Sequence, residues 1–262
     1  MTPALFNCTQ QCLFCWRAQS GDIQATWNEL KLPPWNSPEE IVEGSIKEQL
    51  KILSGYKANP KSGKRKFNKA LHPKHVAISL TGEPTLYQNL AELIQKFHKK
   101  GFTTFLVTNG TNPTALTELE EEPTQLYISA CAPDKTTFNH TCRPQIPKAW
   151  NKLNETLSIL PSFKCPTVLR ITLARDLNMK NVEGYAKLIQ KAHPTYVEPK
   201  AYMHVGFSRL RLGFDSMPSH KEIKEFATQL AAKTSYDVIN ESSDSRVVLL
   251  SRLQKSIRFG DG

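Results

Sequence analysis

No stretch of the sequence reaches the about eighteen consecutive apolar residues that a membrane-spanning helix needs, so no part of it is expected to enter a bilayer. The start, Met1-Thr2-Pro3-Ala4-Leu5-Phe6-Asn7-Cys8, lacks the basic and then apolar stretches of a secretory signal, and the expected compartment is the cytoplasm. Acidic residues are in deficit: 24 Asp and Glu stand against 34 Lys and Arg, a formal net charge of +10 that favours a polyanionic partner. Cysteine is scarce too, six in 262 residues, which excludes a disulfide scaffold. There is no long linker, no composition break and no internal repeat beyond a βα unit, so the reading is a single domain over residues 1–262. What is present, 39% hydrophobic and 22% charged residues, suffices for a full core and excludes a disordered or collagenous chain.

Along the chain, Ser37-Pro38-Glu39-Glu40 has the form of a helix start, with Ser37 as cap, Pro38 at the first turn and Glu40 closing a capping box. Val42, Ile46, Leu50 and Leu53 then recur at helical spacing as a stripe expected to be buried, and Gly55 reads as the stop. A basic insertion follows over residues 57–74, with seven Lys or Arg and no acid. From His75 onward short apolar runs alternate with helical patterns: strands near 75–80, 103–108, 126–130, 168–173 and 196–203, and helices near 90–100, 150–160, 182–192 and 222–232. The acidic run 118–122 reads as an exposed helix end. Strands that are continuously apolar, not alternating, belong to a parallel sheet covered by helices. The expected fold is therefore α/β, a partial (β/α) barrel of the TIM kind with about six parallel strands. Residues 236–239 and 247–250 suggest a short C-terminal antiparallel hairpin, and a doubly wound sheet is the other option.

Three of the cysteines fall within eight residues, Cys8-x-x-x-Cys12-x-x-Cys15, with Phe14 just before the last. Three thiolates on one short loop can hold three irons of a 4Fe–4S cluster and leave the fourth iron open. A structural zinc site closes with four ligands, and no second C-x-x-C pair follows; a ferredoxin would need a fourth nearby cysteine. Cys131, Cys142 and Cys165 are scattered and read as small buried hydrophobes.

This spacing resembles the radical S-adenosylmethionine (SAM) superfamily. The resemblance implies that the open iron chelates the methionine part of SAM, and that reduction yields a 5′-deoxyadenosyl radical that abstracts a substrate hydrogen. Thr81-Gly82-Glu83-Pro84 directly follows a predicted strand, where the superfamily holds the SAM amino group. Thr108-Asn109, Ser129, Arg170 and Thr172 lie at or near the ends of the following strands, which face the site in such a barrel. Phe14, Gly82, Glu83, Pro84, Thr108 and Asn109 are thus candidate cofactor contacts, and Ser129, Arg170 and Thr172 are either contacts or merely satisfied polar groups.

Met1 to Cys8, Cys15-Trp16-Arg17, Ser79 to Tyr87, Thr108-Asn109-Gly110, Cys142-Arg143-Pro144 and Lys200-Ala201-Tyr202-Met203-His204-Val205-Gly206 are similar to the archaeal tRNA 4-demethylwyosine synthases of wyosine biosynthesis. That resemblance implies a substrate, N1-methylguanosine at position 37 in the anticodon loop of phenylalanine tRNA, a co-substrate, pyruvate, and an electron donor. It also implies a second 4Fe–4S cluster, held by three cysteines in a segment preceding the Met-Thr-Pro motif together with a pyruvate-binding lysine; this sequence starts at the motif, which reads as a truncated or divergent member. Lys200, Tyr202 and His204 alternate and should share one strand face. If that face is the barrel interior, Lys200 is a candidate for a pyruvate or SAM carboxylate and His204 for proton handling; a satisfied polar layer is the bland alternative. Lys57, Lys61, Lys64, Arg65, Lys66 and Lys69, with Arg209 and Arg211, are candidate tRNA phosphate contacts, against the alternative of a solvated loop. Two rivals share parts of this pattern: a radical SAM activase that acts on a protein partner, and a zinc-stabilised nucleic-acid-binding module.

Overall fold

The structure, a computed structural model, describes residues 1–57, 59, 61 and 63–260. Helix α1 (Pro38–Ser54) starts as its sequence dictates: the Ser37 hydroxyl accepts from Glu40 N at 3.3 Å and the Glu40 carboxylate accepts from Ser37 N at 2.8 Å. Only the first half of its apolar stripe is covered. Val42 is fully buried, whereas Leu50 is 37% exposed, and Gly55 ends the helix at a right-handed φ of −62° with no left-handed cap. The basic insertion contains a short helix, α2 (Lys64–Ala70), that hydrophobic periodicity did not announce because its only large apolar residue is Phe67.

The βα units follow as β1 (His75–Ile78), α3 (Leu90–Lys99), β2 (Thr103–Thr108), α4 (Pro113–Thr117), β3 (Gln125–Ser129), α5 (Lys135–Cys142), α6 (Ala149–Ile159), β4 (Thr167–Leu173), α7 (Val182–Ala192) and β5 (Tyr196–Ala201). Helix α8 (His220–Lys233) then leads into the hairpin of β6 (Asp237–Ser242) and β7 (Val247–Ser251). One sheet carries them all, in the order β1-β2-β3-β4-β5-β7-β6, with β1 and β6 at its unjoined edges. Strands β1 to β5 are parallel and β7 joins β5 antiparallel, so the sheet is an open partial barrel with five parallel strands where about six were expected. Beside the β1 edge, the Met1 amino group donates to Ala77 O (2.9 Å) and Ser79 N donates to Met1 O (2.9 Å), the spacing of a parallel bridge.

The two sheet faces differ in chemistry. Leu169, Ile171 and Leu173 of β4 are fully buried against the helix layer, as are Leu93 and Ile94 of α3, each contributing about 2 kcal/mol of burial. On the inner face the cross-strand pairs are polar: Ser129 with Arg170, Arg170 with Glu198, and Thr172 with Lys200. Strand β5 stops at Ala201, earlier than expected, so the alternation that would have kept Tyr202 and His204 beside Lys200 ends there. Among the described residues no helix is long and apolar enough to cross a membrane.

Candidate active site

The carboxyl ends of β1 to β4 meet the N-terminal cysteine loop around one open cavity. Cys8, Cys12, Phe14 and Cys15 line it together with Gly82, Glu83, Thr108, Asn109, Ser129 and Thr172, so ten of the residues singled out from the sequence converge. Gln10, Arg17 and Cys131 line it too.

The cysteine loop is held by its own backbone and by α5. Cys15 N donates to Cys12 O (3.1 Å), Gln11 N to Cys142 O (3.1 Å) and Leu13 N to Thr141 O (2.9 Å). The left-handed Arg143 (φ 46°) ends α5 and lets Pro144 bridge to Gln10, which accounts for Cys142-Arg143-Pro144 in the sequence. Burial pushes the Cys8 and Cys15 thiols up, and the Arg17 charge opposes it. Cys12 is raised first by its hydrogen bond with the Cys142 thiol and then by burial. Buried thiols of this kind stay protonated until a metal takes the negative charge. Arg17 is itself buried; burial opposes its charge, but the ion pair with Glu29 (2.5 Å) and the nearby thiols outweigh that and fix it as a cation.

These residues fit an iron–sulfur cluster. Gln10 is 5% exposed, its Oε1 accepts from Cys12 Sγ at 3.2 Å, and its Nε2 is buried without a partner, a donor left facing a group the chain itself does not provide. Cys8, Cys12 and Cys15 all line the same cavity, and among the described residues no group of three Cys, His, Asp or Glu side chains is already gathered around a single ion.

Gly82 and Glu83 join the loop to the sheet. Gly82 has φ +70°, and a Cβ there would sit 1.5 Å from Ala4 O, so no other residue fits. Glu83 N donates to Asn7 O (2.8 Å). The Glu83 carboxylate, 1% exposed, accepts on Oε1 from Thr85 N (3.0 Å), Thr85 Oγ1 (2.7 Å) and Thr108 Oγ1 (2.6 Å), and on Oε2 from Asn109 N (2.8 Å). Burial raises its pKa and these donors oppose the rise. Oε2 alone retains acceptor capacity for a cationic ligand group. Asn109 then reaches the cysteine loop, its Nδ2 lying 2.8 Å from Thr9 Oγ1 and 3.7 Å from Cys8 Sγ. Pro84 opens the buried turn behind Glu83 and supports the motif from outside the cavity.

Other predicted residues lie elsewhere. Arg170 stacks over Tyr127 at 4.6 Å and pairs with Glu198 at 2.7 Å, one residue layer below Thr172. Lys200 is on the same inner face, and burial, then the Arg170 charge, lowers its pKa. His204 does not line the cavity. Its ring lies 6.3 Å from Tyr202 and 5.7 Å from Phe214, with a buried, unpartnered Nε2. Arg211 is corrected outright as a phosphate contact: its side chain is 7% exposed, pairs with Asp22 and donates to carbonyls of the cysteine loop. Arg209 is exposed on the neighbouring turn. Lys57, Lys61, Lys64, Arg65, Lys66 and Lys69 are all exposed, and α2 lines a groove of about 940 Å³ beside His75, at the opposite end of β1 from the cavity. The acidic run is the exposed end of α4, with Glu118 as its C-cap, and its last member is tied down, the Glu122 carboxylate accepting from Lys164 N (2.9 Å) and Cys165 N (2.7 Å).

The approach of Cys142 to the loop was expected from its place beside Arg143-Pro144, whereas sequence reasoning missed Gln10, Asn109's reach to Cys8, the Arg17–Glu29 pair and the approach of Cys131. Only contact in three dimensions reveals these, although the Trp16-Arg17 dipeptide after the last cysteine was a local signal for Arg17.

A three-cysteine loop set over the carboxyl ends of a parallel partial barrel, next to Gly82-Glu83, is the construction of a radical SAM protein. The chain matches the radical SAM superfamily over residues 4–189 and the family described as wyosine base formation over residues 191–252. It is 50% identical to the S-adenosyl-L-methionine-dependent tRNA 4-demethylwyosine synthase of Pyrococcus abyssi, over 96% of this chain and 74% of that protein. With the enzyme of the same name from Methanocaldococcus jannaschii the identity is 42%, over 98% of this chain and 81% of that one. A solved structure of TYW1 with a lysine-pyruvate adduct bound superposes with a TM-score of 0.85 at 40% identity, covering 98% of this chain and 80% of that one. The chain belongs to the tRNA 4-demethylwyosine synthase family.

Proposed function

We propose that this chain is a cytoplasmic, single-domain radical SAM lyase that converts N1-methylguanosine-37 of phenylalanine tRNA, with pyruvate, to 4-demethylwyosine. The observation that carries the reading is the link through Asn109: its backbone N–H is on Glu83 and its side chain on the cysteine loop, so the cluster ligands and the Gly82-Glu83 motif form one unit. Cys8, Cys12 and Cys15 would hold a 4Fe–4S cluster. When bound, the cluster and SAM supply the electron and the radical that start the reaction. Glu83 Oε2 would receive the SAM amino group, with Gly82, Pro84, Thr108 and Asn109 fixing that carboxylate. Phe14, Ser129 and Thr172 would line the cofactor, and Arg170 would order the layer beneath it.

Lys200 would take a carboxylate of pyruvate or SAM, consistent with its place beside Thr172, which lines the cavity. His204, outside the cavity lining and packed against Tyr202 and Phe214, is given no proton-transfer role. No step is assigned to a second cluster: Cys131 and Cys142 lie against the first loop, and Cys165 is next to Glu122.

For tRNA, the exposed apolar side chains Trp16, Leu80, Leu210 and Phe214 offer stacking surface for unpaired bases, with Arg209 among them for phosphate. The basic groove lies about 17 Å along β1 from Leu80, within the width of an RNA stem, so Lys57 to Lys69 would grip the arm while the loop base enters the cavity.

The test is anaerobic reconstitution followed by incubation with N1-methylguanosine-containing tRNA, SAM, a low-potential electron donor and pyruvate, and mass analysis of the nucleosides. The tricyclic base should form. SAM cleavage without the tricyclic product would show that the upstream cysteines implied by the resemblance are needed, whereas SAM-dependent activity on a protein partner that survives neutralising Lys64, Arg65 and Lys66 would favour an activase. Stoichiometric zinc with no 5′-deoxyadenosine would return the chain to a zinc-stabilised binding module.

A further inference from the structure

Three carbonyls of the cysteine loop are held by one side chain that lies almost two hundred residues away in sequence. Arg211 donates through Nε to Leu13 O (3.3 Å) and through Nη2 to Cys15 O and to Arg17 O (3.4 Å), while Nη1 pairs with Asp22. The same segment presses on the loop a second time: Phe207 N donates to Trp16 O (2.9 Å), and a Cβ on Gly206, whose φ is +58°, would come within 2.4 Å of that oxygen. A peptide is planar and trans, so fixing its carbonyl fixes the opposite direction of its N–H. The peptides whose carbonyls Arg211 holds on either side of Cys15 carry the N–H groups of Phe14 and Trp16, and among the described residues neither donates to a protein acceptor.

We propose that Arg211 is a positioning residue of the cluster site: it sets the orientation of the Leu13–Phe14 and Cys15–Trp16 peptides, before and after Cys15, so that their N–H dipoles favour the anionic cluster. The inference rests on the cluster reading of Cys8, Cys12 and Cys15. Oriented backbone N–H groups are a fixed positive partial charge, and such outer contacts govern both the retention and the redox behaviour of a bound metal group. Lysine at 211 keeps the charge opposite Asp22 but has no planar fork, so it cannot serve three carbonyls at once.

The experiment compares anaerobically reconstituted wild type with Arg211→Lys. Iron release to a chelator should be about ten-fold faster in R211K, and its reduced cluster should have a lower potential and an altered electron paramagnetic resonance line shape, with the melting temperature little changed. Unchanged release and an unchanged spectrum, or a fall in melting temperature with the wild-type spectrum intact, would overturn the proposal. Where R211K does not fold, Gly206→Ala carries the same readouts, because it strikes Trp16 from the same segment without touching the charges. A wild-type chain that takes up no iron and sulfide at all would instead remove the cluster reading on which the proposal stands.

Discussion

Arg170 Nε donates to Glu198 Oε1 at 2.7 Å across adjacent strands, and this pair separates the floor of the barrel from Lys200, one layer nearer the cavity. Glu198, and after it Cys131, opposes the lowering of the Lys200 pKa caused by burial and by Arg170. Glu198→Gln should therefore lower the Lys200 pKa further and raise its fraction of neutral amine at any given pH. Reductive methylation of Lys200, followed by peptide mass analysis across a pH series, should have its midpoint displaced to lower pH in the variant. An unmoved midpoint would mean that Lys200 does not sense the Arg170–Glu198 pair.

Gly82→Ala is expected to be among the most damaging single changes in the chain. Its methyl group would overlap Ala4 O at 1.5 Å, and the backbone would stay at φ +70°. Overpacking against backbone and left-handed strain together should cost at least about 3 kcal/mol. Urea unfolding should register the loss, and iron uptake should fall with it because Glu83 and Asn7 are displaced. A variant with wild-type stability would mean that the Ala4 backbone gives way to the added methyl group without cost.

The βα rhythm was legible because each parallel strand carries a short apolar-rich run between helical patterns, although burial along the strands alternates and leaves residues such as Arg170, Thr172 and Lys200 on the inner face. Thr103–Thr108 and Val182–Ala192 coincide with their expected limits. Helices α2, α4 and α5 were not legible: they have five to eight residues, too few for a period to declare itself. In the site, the cysteine spacing and the Gly82-Glu83 turn were readable as local patterns. Arg211 was read as a phosphate contact because a charged residue in a loop is normally solvated, and nothing local announces that three distant carbonyls and Asp22 await it. His204 was misplaced for a different reason: a period of two says nothing about where a strand stops, and β5 stops at Ala201.

Leu80 offers a test of opposite sign. It is a branched residue held at φ +93° and 62% exposed, at the mouth of the cavity. Since its side chain contributes little burial, Leu80→Gly should stabilise the fold by about 0.5–1 kcal/mol, the left-handed penalty removed less the greater chain entropy of glycine. Equilibrium urea unfolding is sufficient to decide it. A loss of stability would show that the Leu80 side chain supports the loop and is not simply tolerated there.

Neutralising Lys64, Arg65 and Lys66 together to Gln should leave stability and SAM cleavage unchanged, since all three are exposed and remote from the cavity. Affinity for tRNA should fall, and the slope of log K against log salt should become shallower by roughly two to three, about one for each phosphate no longer neutralised. Filter binding at several salt concentrations measures both. Equal slopes for wild type and variant would confine tRNA binding to the Arg209 side of the mouth.

Glu222 makes one corner of the fold acid-sensitive. It closes the capping box of α8 with Ser219 and pairs with Arg175 at 2.7 Å. The hydrogen bond from Arg175, then those from Ser219, bring its pKa down from 4.5 to about 2. A carboxylate whose folded pKa is depressed contributes stability that is fully present above its unfolded pKa and is lost as pH falls through the folded one. The stability difference between wild type and Glu222→Gln should therefore be constant above about pH 5 and shrink between about pH 4.5 and 2. Solvent screening at this partly exposed pair keeps the difference modest. Urea unfolding of both proteins across that window provides the comparison. A difference that persists undiminished to pH 2 would mean that the Gln side chain fails sterically at the cap, and that the charge on Glu222 is not what secures α8 to Arg175.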